Sequence, residues 1–215
     1  MAGHDWAGLK AARDAYVVRL NGIYERNLEK RGVTLLRGWA TLTGANEVSV
    51  NGEMLRAERI LLATGGRPHR PQVPGSELGI DSDGFFGLAD RPRRVAIVGG
   101  GYIGVELGGV FAALGSEVTM VLRSDRLLRG FDPLLVDAAE EGLQEKGAQM
   151  LRHSPPLALE RGAQGLTLVL EGGRRSEAFD SGIWATGREP LTDGIAPAVG
   201  VKRDGNGFVV TDEFQ

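Results

Sequence analysis

A short apolar run that leads directly into a glycine-rich turn constrains the fold of this chain more than any other feature. Residues 95–98 read Val-Ala-Ile-Val, and residues 99–104 follow as Gly-Gly-Gly-Tyr-Ile-Gly. An unbroken apolar run rich in β-branched residues is typical of a strand buried on both faces of a parallel sheet. After the turn, Ile103, Leu107 and Phe111 follow the helical period. The sequence therefore predicts a strand, a tight turn and a helix.

The turn has the G-x-G-x-x-G spacing of dinucleotide-binding proteins. In that pattern Gly99 permits the tight turn, Gly101 lets the backbone approach a pyrophosphate, and Gly104 lets the helix pack closely on the strand. The helix N-terminus offers free N–H groups and a partial positive charge to phosphate oxygens. We therefore predict a dinucleotide site at the start of this helix, formed by Gly99, Gly101, Tyr102, Ile103 and Gly104.

The context of the pattern matters, because 33 glycines in 215 residues make such spacings common by chance. Gly115 is placed to end the helix, and a second apolar strand follows at residues 117–122. Strand, helix and strand at this distance form a βαβ unit, which is the context that the pattern requires. The alternative is a glycine-rich turn that packs helix on sheet without binding a ligand.

Two arginines indicate which dinucleotide this chain binds. Arg123 falls at the end of the second strand, where NAD-binding proteins carry an acidic residue for the ribose 2′-hydroxyl. An arginine there favours a 2′-phosphate, and Arg129 is near enough in sequence to contact the same group. The sequence therefore predicts NADP(H). The alternative is that these arginines, with Arg126 between them, are solvated loop charges, and Asp125 would repel a phosphate.

The part of the chain before this unit has a different pattern. An amphipathic helix is predicted from the N-cap Asp5 to Gly32, and short β segments are predicted at 33–39, 47–50 and 53–55. Asn51-Gly52 is a hairpin turn signal between the last two. Residues 59–66 are interpreted as a buried strand that ends in a glycine turn, and the proline-rich residues 67–75 as a domain boundary.

The part after the unit returns to helix and strands. A helix is predicted from Pro133 to Lys146, with Glu140 and Glu141 on its solvent face. Further strands are predicted at 150–151, 157–160, 166–170, 174–179 and 208–210. In residues 180–190 an apolar run leads into Thr-Gly, as it does in residues 62–67. This similarity indicates that the chain passes from one domain to the other a second time. The predicted fold class is α/β, a Rossmann-like parallel sheet with an antiparallel meander.

Composition excludes several classes of function. The chain is 42% hydrophobic with a net charge of −3, so neither nucleic acid nor an anionic membrane is an expected partner. The absence of a long apolar run and of an N-terminal leader leads us to expect a soluble, cytoplasmic protein. With no cysteine and three scattered histidines, His4, His69 and His153, the sequence supports no metal site.

Taken together, these motifs resemble the flavoprotein pyridine nucleotide-disulfide oxidoreductases of the glutathione reductase type. The resemblance covers almost the whole chain and rests on residues 63–68, 84–86, 98–107, Arg123 and Arg129 before 131–133, and 183–190. It implies that residues 68–184 form an NADP(H)-binding domain inserted into an FAD domain. Residues 1–67 and 185–215 would then be partial FAD-domain segments.

The resemblance also implies roles for individual residues. Tyr102 would cover the nicotinamide pocket, Glu106 would pair with a lysine beside the redox disulfide, and Gly187 and Arg188 would lie close to the cofactor. In the intact enzyme, hydride would pass from NADPH to FAD and electrons then to a disulfide. The redox cysteines, the main FAD motif and the catalytic histidine of the family are not found in these 215 residues. We therefore expect this chain alone to hold no FAD.

Two other functions stay open at this point. The first is a non-catalytic NADP(H)-binding module that acts in sensing or partner binding. The second is an NAD-linked dehydrogenase of unrelated chemistry. We rank it lower because no acid and base pair lies near the glycine motif. For the FAD-domain segments we expect an exposed apolar surface through which the chain forms a homodimer.

Overall fold

A computed structural model describes residues 4–195 and 199–213. Four α-helices lie in this part of the chain: α1 (Trp6–Lys30), α2 (Ser82–Gly87), α3 (Tyr102–Ala113) and α4 (Pro133–Gln144). The strands in the same part are β1 (Ala40–Gly44), β2 (Glu47–Val50), β3 (Glu53–Arg56), β4 (Gly66–Pro68), β5 (Arg94–Val98), β6 (Glu117–Val121), β7 (Gln149–Leu151), β8 (Pro156–Gly162), β9 (Gly165–Leu170), β10 (Ser181–Trp184) and β11 (Arg188–Pro190).

The chain divides into two compact units. Pro68–Gly187, together with the start of the chain up to Ala11, forms the unit that we call the glycine-motif unit. Ala12–Arg67 and the part that begins at Arg188 form the second, which we call the meander unit. Which cofactor each part binds stays a prediction.

The glycine-motif unit is built on a parallel sheet with the strand order β10-β5-β6-β7. Val95 and Ile97 of β5 face a core that includes Phe111 of α3. Ala96 and Val98 face the opposite core, which β8 and β9 supply. Both faces of β5 are therefore buried, as its apolar sequence predicts, and the α/β fold is confirmed.

Aromatic side chains fill the helix side of this sheet. The Trp6 ring stacks on the Phe111 ring with centroids 5.9 Å apart, and Phe85 meets both rings edge to face. The Trp6 indole N–H donates to the carbonyl of Leu88 at 3.1 Å. These contacts fix the first turn of α1 to the glycine-motif unit.

The strands β8 and β9 form an antiparallel hairpin as predicted, but the regular third strand predicted at 174–179 is wrong. Residues in that stretch make isolated bridges to β9, Phe179 with Leu166 and Arg175 with Val169. The reason is local, because the Leu168 N–H donates to the Ser176 hydroxyl at 2.9 Å instead of to a backbone carbonyl. A side-chain bond at this position interrupts the ladder.

The predicted long helix is confirmed, and in the meander unit so are the predicted strands at 47–50 and 53–55. Asp5 caps α1 by accepting from the Gly8 N–H at 2.9 Å, and β1, β2 and β3 pair antiparallel in that order. Asn51 and Gly52 have positive φ angles of 51° and 86°, which is the geometry of a tight hairpin turn. No residue of α1 is fully buried, and apolar side chains beyond its first turn, such as Tyr16, Val18 and Tyr24, are exposed.

Three predicted strands of this unit are wrong. Within the described residues there is no strand at 33–39, and 59–66 contributes only its last residue to β4. At 208–210 there is an isolated bridge from Arg203 to Val209. A buried strand needs neighbouring strands for its hydrogen bonds, and in the described chain only Gly65 of this stretch has a backbone partner, the Leu191 N–H at 3.0 Å. Leu61, an apolar residue of this stretch, is 89% exposed.

Candidate dinucleotide site

The glycine turn follows β5 at the carboxyl edge of the parallel sheet. Gly99 has a φ of +126°, which side chains rarely permit, and its N–H donates to the Val121 carbonyl at 3.0 Å. A Cβ atom placed on Gly99 would lie closer than 3.0 Å to the carbonyl oxygen of Ala185. The turn therefore requires glycine at this position for reasons internal to the fold.

Gly104 is also required by the fold, whereas Gly101 is not. A Cβ atom on Gly104 would lie closer than 3.0 Å to the carbonyl oxygen of Gly99, so α3 packs directly against the turn. Gly101 has an ordinary φ of −77°, and nothing in the described chain lies within 4 Å of its Cβ position. The open space above Gly101 is what a backbone that closely approaches a ligand needs.

The N-terminus of α3 lies at the same turn. Gly101 is its N-cap residue, and no side chain of the described residues caps it. The first intrahelical bond runs from the Val105 N–H to the Gly101 carbonyl at 3.1 Å. The N–H groups of Tyr102, Ile103 and Gly104 therefore have no acceptor within the helix, which makes this end suitable for binding phosphate oxygens.

The three arginines of the loop after β6 differ in their contacts with the rest of the protein. Arg126 forms ion pairs with Asp137 and Glu140. The side chains of Arg123 and Arg129 are exposed, and in the part of the chain that the structure describes neither has a hydrogen bond or an ion pair. Arg126 is thus bound within the protein, while the other two guanidiniums are available to a ligand.

Glu140 of α4 anchors this loop. Its side chain is 12% exposed and accepts from the Leu127 N–H at 3.0 Å and from Arg152 at 2.9 Å. The hydrogen bond from Arg152 lowers the pKa of Glu140, although partial burial opposes that shift. The interpretation of Glu140 as a solvent-facing residue is therefore wrong. Its spacing from the buried Val136 and Leu143 on the same helix face was the signal in the sequence.

The loop is also tied directly to the glycine turn. The Leu128 N–H donates to the Gly100 carbonyl at 2.6 Å, and the Leu127 side chain is fully buried. Gly100 packs closely against Leu122 and Leu127: a Cβ atom placed on Gly100 would lie 3.0 and 3.4 Å from their methyl groups. The fold thus brings the glycine turn and the arginine loop together.

Tyr102 and Glu106 lie one helical turn apart on an exposed face of α3. Tyr102 is 55% exposed, and Val110, one turn further on, is 41% exposed. Among the described residues Glu106 has no ion-pair partner. The nicotinamide roles of Tyr102 and Glu106 stay predictions.

The second crossing of the chain begins beside the glycine turn. The Ala185 N–H donates to the Val98 carbonyl at 2.8 Å, and Gly187 accepts from the His69 N–H at 2.9 Å. Gly187 has a φ of +124°, which favours glycine. In the meander unit, the Arg188 guanidinium donates to the Gly66 carbonyl. Cofactor contacts of Gly187 and Arg188 stay predictions.

Two kinds of feature are absent from the described residues. No helix there is long and apolar enough to cross a membrane. No group of three or more His, Cys, Asp or Glu side chains there is arranged to hold a metal ion.

Known proteins are similar to this chain over almost its whole length. The model of a family described as pyridine nucleotide-disulphide oxidoreductase matches residues 2–215. Glutathione reductase from Yarrowia lipolytica is 44% identical over 225 residues, which cover 98% of this chain and 48% of that protein. Glutathione reductase from Schizosaccharomyces pombe is 41% identical over 224 residues, which cover 100% of this chain and 48% of that protein.

A solved structure is similar over the same range. The HOCl-induced flavoprotein disulfide reductase RclA from Escherichia coli matches with a TM-score of 0.89 and 25% identity, over 97% of this chain and 49% of that chain. The chain spans about half the length of the curated relatives and of the solved structure that it matches.

Proposed function

The chain belongs to the pyridine nucleotide-disulphide oxidoreductase family, and from that premise we propose that it supplies the NADP(H)-binding part of a glutathione-reductase-like enzyme. The observation that carries this proposal is the glycine turn, where the open backbone at Gly101 lies beside a loop with two unpaired guanidiniums, Arg123 and Arg129. The whole enzyme would reduce a disulfide substrate with NADPH through FAD.

Each part of the site has a task in binding. The N–H groups at the start of α3 bind the pyrophosphate, and the space above Gly101 allows its oxygens to reach the backbone. The guanidiniums of Arg123 and Arg129 both bind the 2′-phosphate. Tyr102 lies on the exposed face of α3, where its ring can cover the nicotinamide. Bound NADPH supplies the hydride, and these residues determine where its reactive ring is held.

Gly101→Ala tests the site without disturbing the fold. The added methyl group meets no atom of the described chain, so we expect the free energy of unfolding to change by less than about 1 kcal/mol. The same methyl group blocks the pyrophosphate, and affinity for NADPH is expected to fall roughly 10- to 100-fold. Calorimetric titration measures the affinity and thermal unfolding measures the stability.

Gly109→Ala is the matched control, because it adds the same methyl group to the same helix at a position that is also open. Its NADPH affinity is expected to equal that of the unmutated chain. If the unmutated chain binds no NADPH, the proposed function fails. If Gly101→Ala binds as tightly as the control, the pyrophosphate does not lie on this turn.

We further propose that the exposed apolar side chains of α1 drive association of the isolated chain. Tyr16, Val18 and Tyr24 are 54%, 70% and 62% exposed. Apolar surface of this kind is stabilised when a second copy covers it. Light scattering is expected to show a mass that rises with protein concentration, and Val18→Ser is expected to lower it. A strict monomer at all concentrations would contradict this.

A further inference from the structure

We propose that Glu140 is a positioning residue for cofactor selection: it holds the loop after β6 so that Arg123 and Arg129 can act on one 2′-phosphate. This inference rests on the proposed function. Glu140 itself lies on α4, with only 12% of its side chain exposed, and acts through the loop and not through contact with the cofactor.

The first support is the set of hydrogen bonds that Glu140 receives. One carboxylate oxygen accepts from the Leu127 N–H at 3.0 Å. Leu127 lies on the segment between Arg123 and Arg129. Arg152 donates to both carboxylate oxygens, at 3.2 and 2.9 Å, and also to the Asp125 carbonyl. One carboxylate therefore holds the loop backbone directly at Leu127 and, through Arg152, at Asp125.

The second support is charge. Glu140 lies between two cations, with Arg126 at 3.7 Å and Arg152 at 2.9 Å. Glu140 compensates the repulsion between these two guanidiniums; without its charge only Asp137 still pairs with Arg126, which belongs to the loop itself. The repulsion would displace the segment on which Arg123 and Arg129 lie. Neither of these side chains has a hydrogen bond or an ion pair in the described chain, so their placement depends on the loop backbone.

The third support is that the segment has fixed points on both sides of Leu127. The His153 N–H donates to the Ser124 carbonyl at 3.1 Å, and the Leu128 N–H donates to the Gly100 carbonyl at 2.6 Å. Leu128 itself has a positive φ of 46°, a conformation that a leucine adopts only when its surroundings hold it. Glu140 provides the central contact of this ordered loop. An ordered loop binds with a smaller loss of conformational entropy.

Glu140→Gln is the test, with Glu141→Gln as the matched control. The substitution at Glu140 keeps the shape of the side chain and removes its charge. Glu141 is a neighbour on the same helix whose side chain has no hydrogen bond or ion pair in the described chain. Calorimetric titration with NADPH and with NADH is expected to show about a 10-fold loss of NADPH affinity for Glu140→Gln. Affinity for NADH, which has no 2′-phosphate, is expected to stay within about twofold. The control is expected to leave both unchanged.

The ratio of NADPH affinity to NADH affinity shows whether Glu140 positions the arginines for the 2′-phosphate or only stabilises the fold. A parallel loss of NADPH and NADH affinity, or no change in the ratio, would overturn the proposal. Equal affinities for the two cofactors in the unmutated chain would instead overturn the NADP(H) assignment. Amide exchange at Leu127 is an independent measure and is expected to be faster in Glu140→Gln than in Glu141→Gln; equal rates would count against the proposal.

If Glu140→Gln does not fold, Arg152→Lys serves in its place. It retains the positive charge but loses the two-pronged contact with Glu140 and the bond to the Asp125 carbonyl. The same selective loss of NADPH affinity is expected, and an unchanged ratio would again overturn the proposal.

Discussion

Arg123→Glu is expected to reverse the proposed cofactor preference of this chain from NADPH to NADH. A 2′-phosphate carries close to two negative charges at neutral pH, and a hydrogen bond to a charged group contributes about 1.5 to 3 kcal/mol. Arg123 and Arg129 are exposed, so water screens both contacts, and Asp125 opposes them. We expect a remaining preference of about 30- to 150-fold for NADPH, equal to about 2 to 3 kcal/mol.

The substitution acts in two ways. It removes one cation from the 2′-phosphate, and it introduces a carboxylate that repels the phosphate and accepts a hydrogen bond from the 2′-hydroxyl of NADH. Arg161→Glu is the matched control, because it makes the same change of charge at an exposed arginine of β8. Calorimetric titration of both cofactors against the three proteins measures the effect.

The salt dependence gives a further check on this mechanism. Because the contacts are electrostatic and close to the surface, the preference for NADPH in the unmutated chain is expected to shrink as ionic strength rises. Equal affinities for the two cofactors at low salt would mean that Arg123 and Arg129 are ordinary loop charges. The control variant is expected to retain the unmutated preference.

The glycine turn could be predicted from sequence because its strand, its helix and the strand that accepts the Gly99 N–H belong to one βαβ unit. The run before Gly99 fills a strand that is buried on both faces, and the residues after it have the helical period. The close contact of Gly104 with the Gly99 carbonyl lies within that short segment, whereas the close approach of Ala185 to Gly99 does not. Sequence patterns predict structure best where one supersecondary unit satisfies its own hydrogen bonds and packing.

The errors arose where an element depends on distant partners. Residues 59–65 have a strand-like sequence, but without neighbouring strands in the described chain the pattern does not produce one. Ser176 interrupts a predicted strand through one side-chain bond that no periodicity reveals. The charge of Glu140 predicts a position on the solvent face of α4, but Arg152 and the Leu127 N–H compensate its burial.

Gly104→Ala is expected to destabilise the chain, although alanine is the better helix former. Gly104 is buried at the start of α3, and a Cβ atom there would lie closer than 3.0 Å to the Gly99 carbonyl oxygen. That oxygen belongs to the backbone of a turn that cannot move freely, because the Gly99 N–H is bonded to Val121. Overpacking of this kind costs about 2 to 3 kcal/mol, which lowers Tm by about 5 to 10 °C.

Gly109→Ala in the same helix is expected to have the opposite sign. Its Cβ position is open, so the substitution only removes the conformational freedom of glycine and stabilises the chain by about 0.5 to 1 kcal/mol. Thermal and denaturant unfolding of both variants measures the difference of about 3 kcal/mol between two identical methyl additions. If Gly104→Ala is as stable as Gly109→Ala, α3 does not pack against the turn, and the close approach of helix and strand on which the dinucleotide site depends is absent.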